Sequence, residues 1–165
     1  MKGMILERNH KYFTNLHLIF GNLNGFHKQF NWLITNCECY PQNEKYFNLF
    51  SDWNPVWISG EDLDEMVMSE EFQWVSAVLS GFKKEISKED VFKYSEPMWD
   101  SADLWENPVS IQHPLAEIEI VPWDGALLLF TSKDDKYALL FKEKFPDAQD
   151  LEEHNKEIYD NNNPI

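Results

Sequence analysis

Residues 72–82 read FQWVSAVLSGF. In an extended chain successive side chains point to opposite faces. Phe72, Trp74, Ser76, Val78, Ser80 and Phe82 then share one side, and Val75, Ala77 and Leu79 the other. Both sides are largely apolar, so this stretch reads as a central strand of a sheet covered on both faces. The rest of the chain must supply its neighbours and its covers.

Candidates lie on both sides of it. MKGMILE (1–7) alternates as a first strand. In NHKYFTNLHLIFGNL (9–23), Phe13, Leu16, Ile19, Phe20 and Leu23 make one helical stripe, with Asn9 as N-cap and Gly25 as the stop. FNWLITNCECY (30–40) reads as a strand closed by Pro41, and NEKYFNLF (43–50) as a short helix capped by Asn43. PVWISG (55–60) is a further strand. Ser59 with Asp62 resembles a capping box for the helix that follows, and Ser87 with Asp90 repeats it before VFKY (91–94).

Further on, AEIEIVPWDGALLLFTS (116–132) predicts a hairpin bending at Trp123-Asp124-Gly125. SKDDKYALLFKEKF (132–145) predicts a helix capped by Ser132, with Tyr137, Leu140, Phe141 and Phe145 inward and Pro146 at its end. DLEEHNKEIY (150–159) predicts one more acidic helix, and residues 160–165 a frayed tail. The expected fold is a single α+β domain over residues 1–165. Its sheet is mixed or antiparallel, its helices lie mainly on one face, and a C-terminal hairpin is followed by a helix.

Charge narrows the function classes. The 165 residues carry a net charge of −15, with one arginine, Arg8, among fourteen basic side chains. Nucleic-acid binding needs clustered Lys and Arg, and bidentate grip on phosphate favours arginine, so neither nucleic acid nor a nucleotide is an expected ligand. Residues 1–60 hold five basic and four acidic side chains, and residues 61–165 hold nine basic and twenty-five acidic ones. From Tyr94 to Ser132 there is no lysine or arginine, and seven acids fall in that window. A basic protein is the partner this distribution suits.

Within the window, WDSADLWENPVSIQHP (99–114) mixes rings, acids and spaced prolines that fit neither a helix interior nor a central strand. Residues 95–114 are read as a long ordered loop. Its aromatic and acidic residues Trp99, Asp100, Asp103, Trp105 and Glu106, with Asp124 of the hairpin bend, form the candidate binding surface. The competing reading anchors both rings in the core and leaves the acids merely solvated. His113 lies among carboxylates that would favour its charged form, although a histidine that ties down its loop is the commoner case.

Catalytic and metal motifs are sparse. Glu117 and Glu119, with Asp124 beyond, are candidate carboxylates for a hydrolase acting on a sugar-like substrate. Alternation also explains them, with Ile118 and Ile120 inward and the acids facing water. The sequence has no G-x-S-x-G, P-loop or G-x-G-x-x-G, and no cofactor is expected. His10 and His17 stand roughly 10 Å apart along a helix. Cys37 and Cys39 lack a second ligand pair at zinc spacing, so no metal site is expected. The two cysteines read as reduced, half-buried thiols. No leader or membrane-spanning apolar run is evident, and the cytoplasm is the expected location.

MKGMILE, VWISGEDL (56–63) and AEIEIVPWDGALLLFTSKD (116–134) together resemble an uncharacterised family of small bacterial proteins that open with Met-Lys-Gly. That resemblance brings no catalytic motif. By composition and class alone, the chain is also similar to immunity proteins, which block a toxin encoded beside them. The expected function is a non-enzymatic binding module, with immunity against a basic toxin as its specific form and the hydrolase as the alternative.

Overall fold

The computed structural model describes residues 1–7 and 14–162. Its strands are β1 (Lys2–Glu7), β2 (Phe30–Cys39), β3 (Val56–Ser59), β4 (Trp74–Lys83), β5 (Ile118–Trp123), β6 (Leu127–Ser132) and β7 (Gln149–Asp150). They form one seven-stranded sheet in the order β3-β2-β4-β5-β6-β1-β7. Every pairing is antiparallel. The helices are α1 (Leu16–Asn22), α2 (Glu44–Phe50), α3 (Gly60–Ser69), α4 (Lys88–Val91), α5 (Asp135–Lys144) and α6 (Leu151–Asn162). The α+β architecture, the hairpin and the helix after it are as the sequence reading expects.

Both faces of the sheet are covered. On one, Trp32, Ile34, Leu79, Ile120 and Phe130 pack against α1, α2, α3 and α5 through residues such as Ile19, Phe50, Met66 and Phe141. On the other, Ile5, Val78, Val121 and Leu129 meet Leu104 and Val109 of the segment before β5, and Leu151 of α6. Leu33 and Phe82 continue that second core against Val91, Ile111 and Ala116. Each such side chain contributes roughly 1.5–3 kcal/mol by leaving water.

The alternation in residues 72–82 holds only from Ala77 onward. Trp74 joins Ala77 and Leu79 on the helical face instead of Val78 and Phe82. The cause lies in two bulges. Between Thr35↔Val78 and Glu38↔Ser76 one extra residue sits in β2, and between Glu38↔Ser76 and Cys39↔Trp74 one sits in β4. Each extra residue reverses which face the following side chains take.

Helix starts follow side-chain capping. Ser59 accepts from the Asp62 amide at 3.0 Å and donates to its carboxylate at 2.7 Å, and Ser87 with Asp90 repeats this at 3.1 and 2.8 Å. Asn43 caps α2. Three expectations shift. The Asn9 cap lies outside the described residues, and α1 begins under Asn15, whose side-chain Oδ1 accepts from the His17 amide. Asp134, not Ser132, caps α5, because Ser132 Oγ is engaged as donor to the Asp134 carbonyl. The last helix runs to Asn162, into the expected tail.

Gly60 opens α3 where it crosses the short 3-10 turn Phe26–Gln29. A Cβ there would press on the His27 carbonyl and stand 2.6 Å from that of Phe30. Backbone atoms cannot yield as a flexible side chain does. Gly60→Ala is therefore expected to lower stability by about 2 kcal/mol, read as a reduced denaturant midpoint at unchanged slope. Wild-type stability would refute this close approach.

Candidate functional site

The segment between α4 and β5 spans residues 92–117 and has one short 3-10 turn, Ala102–Trp105. It lies across the second face of the sheet, with Leu104, Val109 and Ile111 buried beneath it. Polar ties fix its path. Thr35 Oγ1 donates to the Pro97 carbonyl at 2.8 Å, Asn107 Nδ2 to the Glu152 carbonyl at 2.9 Å, and the Val109 amide to the Glu152 carboxylate at 3.2 Å. The expected ordered loop is thus present.

Beneath it sits Glu119. Its Cα partners across the sheet are Ser80 and Thr131, and the residue is 1% exposed. Its carboxylate accepts from the Gln112 amide at 3.2 Å and from Gln112 Nε2 at 3.4 Å. Gln112 Oε1 in turn accepts from the Met98 amide at 2.9 Å. Burial pushes the Glu119 pKa up to about 7, although the hydrogen bonds from Gln112 favour the charged form. Ser80 Oγ, directly beside it in register, is buried without a hydrogen-bond partner.

This corrects the wet face expected for the two glutamates. Ile118 and Ile120 do face the helices, but the opposite side of β5 is roofed by the segment itself. Glu117, at the strand's start, is half-buried and lies 3.7 Å from Lys83 Nζ. His113 is the loop-tying histidine of the commoner reading, and its charged form is not favoured. Burial lowers its pKa, Nε2 lies 3.1 Å from the Val91 carbonyl, and Nδ1 accepts from the Leu115 amide at 3.2 Å. A neutral ring carrying its hydrogen on Nε2 satisfies both contacts, so His113 anchors the loop.

The proposed binding residues gather around a ring that the sequence reading assigned only to the hairpin bend. Trp99 and Trp105 both meet Trp123 edge-on, at centroid distances of 6.0 and 5.6 Å. All three are half-buried. Asp100, Asp103 and Glu106 lie exposed beside the first two rings in the chain, and Asp124 follows the third on a turn with φ +49°. Among the described residues none of these four carboxylates makes an ion pair. A groove of about 490 Å³ adjoins the cluster, lined by Trp105, Glu106, Asn107, Asn155, Lys156 and Tyr159. Trp123 was legible in principle, because it has the same strand parity as Glu119 and Val121. The α6 contribution was not, since nothing in the sequence brings residues 155–159 to residue 105.

A second polar cluster went unmarked. His27 Nε2 lies 2.9 Å from Asp64 Oδ1, and Lys28 Nζ lies 2.6 Å from Asp64 Oδ2. The His27 ring stacks on Phe20 at 4.3 Å, burial lowers its pKa, and Nδ1 is buried with no partner. Among the described residues no hydroxyl or thiol bonds to that nitrogen, and the dyad ties α3 to the turn at Phe26–Gln29. Among the described residues no group of three or more His, Cys, Asp or Glu is arranged to hold a metal, and no helix is long and apolar enough to cross a membrane.

A family model described as Protein of unknown function (DUF2691) matches residues 1–104. The chain belongs to that family. The DUF2691 match includes the MKGMILE and VWISGEDL stretches and stops within the loop, one residue short of Trp105. Among the described residues β1 pairs with β6 and β7 alone, both beyond the match, so the sheet requires the later residues as well. Comparison with curated proteins and with solved structures finds no match.

The pH response of Glu119 follows from its position. With a folded pKa near 7 against an ordinary 4.5, the native state holds more protons than the unfolded chain between those values. Stability is then greatest below pH 4.5, falls as pH rises to about 7, and changes no further through this group, by on the order of 3 kcal/mol. Glu119→Gln should remove that difference when unfolding free energies of variant and wild type are compared from pH 4.5 to 8. Parallel pH profiles would contradict the burial assigned to this carboxyl.

Proposed function

We propose that this chain is a non-catalytic binding protein whose Trp99–Trp105–Trp123 surface engages a basic protein. The supporting observation is the concentration of three half-buried indoles with four unpaired carboxylates in the stretch that lacks lysine and arginine. Tryptophan supplies large desolvated contact area at little entropic cost, and rim carboxylates steer a cationic partner into register. Its specific form is a cytoplasmic immunity protein, with the acids covering the phosphate-binding site of a basic toxin such as a nuclease.

A hydrolase reading draws on Glu119, whose raised pKa would suit a general acid. That carboxyl is roofed by Gln112, and Glu117 is engaged with Lys83. Both carboxylates are thus already engaged within the chain, and binding is the reading we retain.

The test begins with capture of one dominant basic protein from the source cell and titration of that partner. Combined Asp100→Asn, Asp103→Asn and Glu106→Gln substitutions should weaken affinity about tenfold and flatten its dependence on salt. The fold should be unchanged by circular dichroism. Unaltered affinity in the folded triple variant would overturn the proposal.

A further inference from the structure

A separate feature lies at the far end of β2. Residues two apart in a regular strand are about 6.6 Å apart along the chain, which ordinarily keeps their side chains from meeting. Here the bulge at Asn36, whose φ is +50°, bends the strand. Cys37 and Cys39 are free and buried, and their sulfurs stand 3.5 Å apart.

The pair borders a cavity of about 170 Å³ that is also lined by Tyr40, Phe47 and Trp53. These rings are 61, 50 and 61% exposed, a large apolar area to leave in water around two buried thiols. Trp53 also holds a φ of +58°, a conformation that bulky residues rarely take and that marks functional positions more often than others.

Two thiols in a largely aromatic wall, where Glu38 accepts from the Tyr40 hydroxyl and Ser51 is the other oxygen-bearing side chain beside that hydroxyl, suit a soft ion of low coordination number. Zinc takes four ligands, and the described residues offer no group of three or more. Calcium and magnesium require oxygen. Thiolates select copper(I), and the bordering rings supply an apolar surround for it. We propose that Cys37 and Cys39 bind one copper(I) ion as a two-sulfur site walled by Tyr40, Phe47 and Trp53. On binding, each S–H bond releases its proton to water, two S–Cu bonds form, and copper remains in the +1 state. Because binding releases these protons, affinity rises with pH.

The experiment uses the whole chain, reduced with a non-thiol reductant under anaerobic conditions. It is titrated with copper(I) held by a competing chromophoric chelator. One copper per chain should leave the chelator, with a thiolate-to-copper absorption band, a raised melting temperature and two sulfur neighbours by X-ray absorption. Cys37→Ala and Cys39→Ala should each lower affinity at least a hundredfold, with folding of each variant checked by circular dichroism. No uptake by the wild type, a first shell of nitrogen or oxygen, or full uptake by a folded double alanine variant would each overturn the site. The X-ray absorption and melting measurements need no variant, so the proposal stays testable if loss of a buried sulfur unfolds the chain.

Discussion

A sheet with apolar side chains on both surfaces must be covered twice, and most helices of this chain cover only one of them. α1, α2, α3 and α5 close the surface formed by Trp32, Leu79 and Ile120. The other surface, carrying Val78, Val121 and Leu129, is closed by α6 and by a segment with almost no regular structure. Exposed backbone cannot be buried without hydrogen-bond partners. The segment meets this condition through side chains: Thr35, Gln112, His113 and Glu152 each bond to its backbone.

That solution has consequences for charge. Roofing the second face takes Glu119 out of water and leaves its compensation to Gln112, while Ser80 beside it stays unpartnered. Burial of this kind favours the protonated form of a carboxyl. The same roof also sets out the tryptophans. Val121 and Trp123 face the segment, so its own Trp99 and Trp105 close on Trp123, and the neighbouring acids are left outward. The candidate recognition surface is thus a by-product of covering the sheet, with its rings held by the second core and its carboxylates exposed.

The two bulges act at the opposite edge in a comparable way. Extra residues in β2 and β4 turn Trp74 onto the helical face and bring the sulfurs of Cys37 and Cys39 together. Bulges re-aim side chains locally while leaving the ladder intact on either side. Here they convert two separated strand positions into one dithiol beside an aromatic-rimmed cavity.

Local chemistry made much of the fold legible. The capping pairs Ser59–Asp62 and Ser87–Asp90, the Asp124-Gly125 bend and the doubly apolar run of β4 all express short-range rules that hold in any context. Seven strands joined in one antiparallel sheet did not follow from them, because β1 finds β6 across more than a hundred residues and no local pattern encodes that pairing. The acids and rings of residues 99–106 were visible as residues, but not their common centre on Trp123 or the α6 side of the groove. Side-chain parity alone could not show whether the face bearing Glu119 met water or protein. That depended on where an irregular segment settled, which long-range packing against Val121, Leu129 and Leu151 decides.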